Sequence, residues 1–295
     1  MIGTIAVEGY RSLRDVVLPL GRITVVTGAN GAGKSNLYRS LRLLAQCALD
    51  GAVGALAREG GLRSTLWAGP EHGVRATRGG DLQGRLRTGP VAVRLGVAGA
   101  GAADPGYAVD LGLPQDGGSA FALDPEIKVE TVRDLGRADE LDAAVSAAFP
   151  GARVEVRADD GRFGLAFHQQ GLLRPLTGAE LSDGTLRYLL WVAALLSPRP
   201  PALLVLNEPE TSLHPELLPA LGALVHAAAR DTQVVVVTHS AALVDALRRA
   251  TASGTTGLPG ADDLQEVALE KAAGETVVAG REGLLDQPAW HWPRR

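Results

Sequence analysis

Nine residues, Gly28 to Asn36, carry glycines and a lysine in the order that polyphosphate binding requires. The segment reads GANGAGKSN, and Lys34 within it is one of three lysines among 295 residues. The β-branched residues of 22–26 predict a short buried strand, and the leucines and alanines of 37–48 recur at helical spacing. The segment is therefore expected on a strand-to-helix turn, which is where a phosphate-binding loop lies.

Each residue type in this segment has a physical task in phosphate binding. The glycines let the backbone curl, so that successive N–H groups converge on phosphate oxygens. A helix beginning at Lys34 directs the positive end of its dipole to the same place. Lys34 is expected to reach the β- and γ-phosphates of ATP, and the Ser35 hydroxyl to hold Mg²⁺. The alternative interpretation is a glycine-rich turn with a solvated lysine. The expected phosphate-binding residues are Gly28, Ala29, Asn30, Gly31, Ala32, Gly33, Lys34, Ser35 and Asn36.

A second polar cluster follows an apolar run. The segment LLVLNEPETSLHP, residues 203–215, predicts a strand that ends in Asn207 and Glu208. In phosphate-loop enzymes the first polar residue at such a strand end helps to hold the metal, and a following glutamate orients or deprotonates the attacking water. Asn207 is therefore the expected metal-holding residue and Glu208 the expected catalytic one. Asn207 departs from the usual aspartate, because an amide keeps one oxygen acceptor but loses the charge. Alternatively, Glu208 only ends the strand.

Two further elements gain weight from their place in the chain. The segment LSDGT, residues 181–185, opens a predicted helix to about Leu196, and His239 follows the apolar run of residues 233–238. A helix start offers free N–H groups to a γ-phosphate, although Ser182 alone is an ordinary helix cap. His239 alone is most simply a structural histidine. The chain order is phosphate loop, Ser-x-Gly helix start, acidic strand end and a histidine after a strand.

This order resembles that of the ABC-type ATPase heads, in which the Ser-x-Gly element is the signature motif and the histidine is the switch. The run IAVEGYRSLRDVV, residues 5–17, looks like the opening strands of the RecF/SMC/OLD branch. The segments LSDGT and NEPETSLHP resemble the corresponding motifs of small predicted AAA ATPases beside that branch. The resemblance implies an α/β P-loop NTPase with a mixed central sheet, an antiparallel β subdomain and a signature-helix lobe. It places the core lobe at about 1–90 and 200–295 and the second lobe at about 91–199.

The resemblance also implies how a site is completed. In this family the signature motif meets the phosphate loop of a second copy, so two chains would clamp two Mg-ATP head to tail. Lys34, Glu208 and His239 of one chain would then act with Ser182 and Gly184 of the other. Arg11 resembles a position near the adenine, with a surface arginine as the alternative. The family's metal-coupling glutamine is left open among Gln83, Gln115, Gln169 and Gln170.

The remaining chain shows short elements without a repeat. Alternating runs at 91–95 and 107–111 predict antiparallel strands, and residues 50–90 predict loops and short helices. Further predictions are a helix at 137–149, strands at 154–157 and 163–168, parallel strands at 202–206 and 233–238 separated by a helix at 215–230, a mobile loop at 252–263 and a hairpin of 266–271 with 275–279.

Composition excludes some classes of protein. The apolar fraction is 46%, and the net charge of −4 gives no global attraction to nucleic acid or anionic lipid. Cys47 is the single cysteine, so no internal disulfide is possible. The N-terminus lacks the build of a secretion signal, and no apolar run approaches the ~20 residues of a bilayer span. We expect a cytoplasmic protein without membrane insertion.

Three functions are compatible with these features. The first is an ATP-driven dimerisation switch in DNA repair, genome maintenance or phage defence, with a separately encoded effector or nuclease chain as partner. About 150 residues separate Ser35 from Ser182, which excludes a long coiled-coil arm. Arginines in residues 63–94 form a modest basic patch that could touch DNA or be solvated surface. The alternatives are the ATPase subunit of a membrane transporter and a nucleotide-gated binding module with little turnover.

Overall fold

The computed structural model describes residues 1–69, 72–76, 82–85, 92–100, 106–112, 138–159, 162–197, 199–252, 263–280 and 290. The chain forms two compact units, of which unit 1 is Met1–Lys128 with Gln265–Arg295 and unit 2 is Val129–Leu264. None of the helices in the described part of the chain combines the length and the apolar character that a membrane crossing needs. The predicted lobe boundaries stay a prediction.

Runs of strands and of helices follow one another up to β10, and single helices alternate with single strands from α5 to β13. In chain order the described residues form β1 (Ile2–Tyr10), β2 (Leu13–Pro19), β3 (Ile23–Gly28), α1 (Lys34–Asp50), α2 (Ala52–Arg58), α3 (Leu62–Thr65), β4 (His72–Ala76), β5 (Leu82–Arg85), β6 (Ala92–Gly99), β7 (Tyr107–Gly112), α4 (Ala138–Ala148), β8 (Arg153–Asp159), β9 (Arg162–His168), β10 (Leu176–Thr177), α5 (Asp183–Leu195), β11 (Leu203–Asn207), α6 (Leu218–Ala228), β12 (Gln233–Val237), α7 (Ala241–Ala252), β13 (Leu264–Ala272) and β14 (Glu275–Val278).

Unit 1 contains an antiparallel sheet in the order β2-β1-β6-β7. Ile5 lies opposite Leu18, and Val7 lies opposite Leu95, so that apolar side chains on these strands face one buried side. Strands β3, β13 and β14 are neighbours in a second sheet. Helix α1 follows β3 and buries an apolar stripe. This stripe holds α1, and with it the loop before it, in a fixed position.

Unit 2 combines a small antiparallel sheet with parallel strands. The small sheet has the order β10-β9-β8, and β11 pairs with β12 in parallel, with Asn207 opposite Val237. Phe149 and Tyr188 pack edge to face with ring centroids 5.7 Å apart. The buried Tyr188 hydroxyl donates to the Ala144 carbonyl at 3.0 Å, and burial raises the pKa of Tyr188 to about 12. This packing anchors the helix that begins at Asp183.

Most of the predicted elements are confirmed. The structure contains the predicted strands, the parallel pair β11 and β12, the hairpin β13–β14, and helices α1, α4 and α5. The hairpin β4–β5 and helix α7 were not predicted, and the segment that holds the hairpin is rich in glycine and arginine with little periodicity. A 3-10 turn at Pro215–Leu217 precedes α6, since Pro215 and Pro219 stand in the first turns. The predicted mobile loop at 252–263 falls almost wholly outside the described residues.

A buried carboxylate connects three elements of unit 1. The Glu59 side chain is 2% exposed and accepts hydrogen bonds from Arg42 at 2.5 Å, Arg11 at 2.9 Å and the Tyr10 hydroxyl at 3.2 Å. Burial alone would raise the pKa of Glu59, but hydrogen bonds and charges from Arg42, Tyr10 and Arg11 outweigh it and lower the pKa. The desolvated Tyr10 hydroxyl has its pKa raised to about 12. Glu59 therefore joins the end of β1, helix α1 and helix α2.

We expect Glu59→Ala to lower the free energy of unfolding by about 2–3 kcal/mol, because Arg11 and Tyr10 lose a buried partner. Since the pKa of Glu59 is lowered by folding, its contribution is present above the unfolded pKa and is lost as pH falls through the folded value. The difference from wild type should shrink below about pH 4. Urea unfolding across pH measures it.

The control is Asp50→Ala, which removes an ion pair with Arg58 whose side chain is 56% exposed. Exposed pairs contribute about 0–1 kcal/mol. Equal losses for the two variants would contradict the role of Glu59.

Candidate functional site

The turn between β3 and α1 has the geometry of a phosphate cradle. Ala29, Asn30 and Gly31 are exposed, whereas Ala32, Gly33 and Lys34 are buried. Gly33 has φ 108°, and a Cβ built on it would lie 2.1 Å from Thr276 Oγ1. Side chains other than hydrogen are therefore excluded at Gly33. The described residues provide no side-chain cap for the first turn of α1, so its N–H groups suit an anion.

Lys34 folds back over this loop. Its Nζ donates to the Gly28 carbonyl at 2.7 Å and to the Ala29 carbonyl at 3.1 Å, and the residue is 6% exposed. The ammonium is thus held at the cradle by the loop itself. Ser35 is exposed at the start of α1, and the Asn36 amide donates to Ser12 Oγ at 2.8 Å. The loop therefore fits the phosphates of a nucleotide, with Asn36 fixing the helix start.

Arg11 takes part in the packing of unit 1. Its guanidinium contacts Glu59 at 2.9 Å, donates to the Ser64 carbonyl at 3.2 Å and lies 5.3 Å from the centroid of the Tyr10 ring. The Arg11 side chain is 20% exposed. These contacts give Arg11 a structural task, and its place near an adenine stays a prediction.

In unit 2, the end of β11 carries the predicted acidic cluster. Asn207 Oδ1 is buried and has no hydrogen-bond partner among the described residues. A buried acceptor of this kind suits a water molecule on a magnesium ion. Glu208 follows with φ 47°, a strained value for a residue with a side chain, and its N–H donates to the Val237 carbonyl at 2.8 Å. The bond to the end of β12 holds this conformation in place.

His239 lies beside two carboxylates. Its Nδ1 is 3.7 Å from Glu208 Oε1 and 3.5 Å from Glu210 Oε1. The structure therefore brings the predicted Glu208 and His239 together. Glu210 is a residue that sequence reasoning missed, although it stands two positions after Glu208 in the same segment. Its side chain is 8% exposed and accepts from the Thr238 hydroxyl at 2.5 Å and the His239 N–H at 3.3 Å.

The start of α5 contacts the segment after Glu208. Ser182 is exposed, and its Oγ accepts from the Thr185 N–H at 3.2 Å. A Cβ built on Gly184 would lie 2.8 Å from the Ser212 carbonyl oxygen. Further along α5, the Trp191 indole donates to the Pro209 carbonyl at 2.9 Å. Helix α5 therefore supports residues 209–212 at two points. An open cavity of about 600 Å³ in unit 2 is lined by residues that include Ser182, Gly184, Ser212 and His214.

The remaining predictions are not settled by this geometry. Among the described residues, no group of three or more His, Cys, Asp or Glu side chains could hold a metal ion. Gln83 is in β5 and Gln115 lies outside the described residues. Gln169 and Gln170 lie in the turn after β9, so the family's metal-coupling glutamine stays open.

A comparison with known protein families gives the class. The family model described as "AAA domain, putative AbiEii toxin, Type IV TA system" matches residues 23–99 and 106–245, which is well over half of the chain. The fold and the phosphate loop thus define an ATPase of the P-loop class. The chain belongs to this AAA-domain family.

Solved structures confirm the predicted fold. The SMC head domain from Thermotoga maritima is 14% identical with a TM-score of 0.51, over 96% of this chain and 99% of that chain. The Smc head domain from Pyrococcus furiosus, bound to the C-terminal domain of ScpA, is 10% identical with a TM-score of 0.57, over 94% and 95%. The chain therefore has the ABC-ATPase-like fold of SMC heads.

One curated relative matches over a short stretch. The OLD nuclease of Thermus scotoductus is 41% identical over 44 residues, which is 15% of this chain and 8% of that protein. The chain therefore spans only a small part of the length of this relative. This similarity agrees with the predicted SMC/RecF/OLD branch.

We expect Gly33→Ala to lower the free energy of unfolding by about 3 kcal/mol or more, because the added methyl group meets Thr276 at a strained φ. Gly31→Ala is the matched control, since a Cβ there meets no described atom within 4 Å. It should cost about 1 kcal/mol for its φ of 81° alone. Denaturant unfolding without nucleotide measures both. A Gly31→Ala loss as large as that of Gly33→Ala would contradict the packing of the loop.

Proposed function

We propose that this chain is an ATP-binding, slowly hydrolysing switch that dimerises head to tail around two Mg-ATP. The observation that carries the proposal is the phosphate loop, with an uncapped helix start and Lys34 held at its carbonyls. Triphosphate binding uses these features directly, through converging N–H groups and one ammonium. Membership of the AAA-domain family supports ATP as the bound nucleotide.

The proposed reaction assigns a task to each polar group. Lys34 and the loop N–H groups would bind the β- and γ-phosphates, and Ser35 and Asn207 would hold Mg²⁺ with its waters. The metal supplies charge neutralisation on the phosphate oxygens. Glu208 would accept a proton from the attacking water. His239 would orient the γ-phosphate. The paired positions of Glu208 and His239, 3.7 Å apart, support this division of tasks.

Asn207 is the reason for expecting slow turnover. An amide at this position donates no negative charge to the metal shell. Changes in groups that hold a metal through water typically cost 10–100-fold in affinity or rate. The Asn207 Oδ1 is buried and has no hydrogen-bond partner in the described part of the chain, which supports a bound water there.

The second copy is proposed to complete the site through Ser182 and Gly184. Ser182 is exposed at the N-terminus of α5, where the helix dipole favours a γ-phosphate. One related SMC head was solved bound to the C-terminal winged-helix domain of ScpA, which supports a separately encoded partner chain. DNA is a further proposed partner.

The family description and the relatives suggest a biological setting. The family name includes a toxin of a toxin–antitoxin system, and one relative is an OLD nuclease. Phage defence is therefore the setting we propose, with DNA repair or genome maintenance as neighbouring roles in the cytoplasm. A binding module with little turnover is the second candidate, and Asn207 is the observation that favours it.

Turnover separates these two candidates. We expect Glu208→Gln to lower phosphate release about 100-fold or more, because the amide cannot accept the proton of the attacking water. Asn207→Asp should raise it by about 10–100-fold by restoring the charge. Phosphate release at saturating Mg-ATP measures both, with Glu266→Gln, an exposed carboxylate on β13, as control. If wild type and Glu208→Gln release phosphate equally slowly while Asn207→Asp is active, the result would favour the binding module.

Dimerisation tests the task of α5. Gly184→Ala should weaken the ATP-dependent dimer about 10-fold or more, because the added methyl group displaces the Ser212 carbonyl. ATP binding by the monomer should change less than about 3-fold. Gly178→Ala is the matched control, since a Cβ there meets no described atom within 4 Å. Sedimentation with ATP in a Glu208→Gln background measures the dimer. If Gly184→Ala and Gly178→Ala dimerise with the same affinity, the result would contradict the proposed contact.

A further inference from the structure

Glu210 occupies an unusual position in unit 2. It is a carboxylate at the turn after β11, its side chain is 8% exposed, and it reaches across to the residues that follow β12. Acidic side chains are almost never buried unless they are paired or hydrogen-bonded. The Glu210 carboxylate uses Oε1 for its contacts, whereas Oε2 is buried without a hydrogen-bond partner among the described residues.

In the described part of the chain, the contacts of Oε1 are with His239 and with the residue before it, Thr238. This oxygen accepts from the His239 N–H at 3.3 Å, from the hydroxyl of the preceding Thr238 at 2.5 Å, and lies 3.5 Å from His239 Nδ1. The Thr238 hydroxyl in turn accepts from the Ser240 N–H at 2.9 Å. One carboxylate oxygen therefore holds the backbone before His239 and faces the imidazole ring.

The imidazole nitrogen Nδ1 lies close to two carboxylates, with Glu208 at 3.7 Å and Glu210 at 3.5 Å. These distances are longer than ordinary hydrogen bonds, but two carboxylate oxygens beside Nδ1 create a negative potential that favours a proton on this nitrogen. The neutral ring then carries its proton on Nδ1 and leaves Nε2 as the acceptor. The partner of one ring nitrogen thus determines what the other can do.

We propose that Glu210 is a positioning residue that fixes the rotamer and the Nδ1–H tautomer of His239. This positioning proposal rests on the proposed ATPase function, in which His239 acts at the γ-phosphate. Glu210 itself touches neither nucleotide nor water in this proposal. It acts through His239 and through the Thr238 backbone, and it keeps His239 beside Glu208.

Glutamine provides a conservative replacement. Its amide oxygen can accept from the Thr238 hydroxyl and the His239 N–H as Oε1 does, and its volume is nearly the same. Alanine removes every one of these contacts. The proposal therefore predicts rescue by Glu210→Gln and loss in Glu210→Ala.

The first experiment measures steady-state ATP hydrolysis. Glu210→Ala should lower kcat about 10-fold or more with KM changed less than about 3-fold, and Glu210→Gln should keep at least about a third of kcat. Because Glu210 acts through His239, the variant carrying both Glu210→Ala and His239→Ala should be no slower than His239→Ala alone. Asp245→Ala is the control, since this exposed carboxylate on α7 pairs with Arg248 at 3.0 Å.

The second experiment does not depend on turnover. ¹⁵N spectra of the full chain labelled at histidine, recorded near pH 8 without nucleotide, report the tautomer of each neutral ring. The signal that is absent from His239→Ala identifies this residue. It should show the Nδ1–H form in wild type and in Glu210→Gln, and shift towards the Nε2–H form in Glu210→Ala.

The outcomes separate this proposal from the proposed function. A wild type without ATP hydrolysis would overturn the proposed function, and an unchanged tautomer in a folded Glu210→Ala would overturn the positioning proposal by itself. A hydrolysing wild type with an equally fast Glu210→Ala would overturn the positioning proposal alone. Additive losses in the double variant would do the same. If Glu210→Ala does not fold, a slow Glu210→Gln with a shifted tautomer would contradict the proposal.

Discussion

The hydrogen bond from the Glu208 N–H to the Val237 carbonyl is the interaction on which the arrangement at the ends of β11 and β12 depends. It joins the carboxyl ends of two parallel strands, at the position where each chain segment leaves the sheet. Parallel strands place their following residues at one edge, which is why residues 30 positions apart meet there. The same bond stabilises a backbone conformation at Glu208 that is otherwise unfavourable. This bond therefore helps to keep the Glu208 carboxylate beside His239.

Local patterns in the sequence were sufficient for most of the strands and helices and for the phosphate loop, but not for the hairpin β4–β5 or for helix α7. A glycine-rich turn between a buried strand and an amphipathic helix leaves few alternatives, because its residues are neighbours in the chain. The predicted fold of the ABC-ATPase type is confirmed by the SMC heads. The tasks of Lys34, Glu208, His239 and Ser182 stay predictions, although the proximity of Glu208 to His239 agrees with them.

Contacts between distant positions could not be predicted from local patterns. Glu59 accepts a hydrogen bond from Arg11, which lies 48 positions earlier in the chain. Nothing near Arg11 in the sequence indicates that its partner is a buried acid. Glu210 is similar, since its task depends on Thr238 and His239, 28 and 29 positions further along. In both cases the acid stands at a turn, where sequence reasoning expects solvent exposure.

The bond between Trp191 and Pro209 gives the protein an intrinsic optical reporter. The emission of an indole depends on its hydrogen bond and on the dipoles around it, and here the acceptor is the carbonyl directly after Glu208. A rearrangement of that turn would therefore change the colour or the yield of Trp191 fluorescence without any added label. Because the chain contains only four tryptophans, replacing the other three would isolate this signal and make the movement visible in real time.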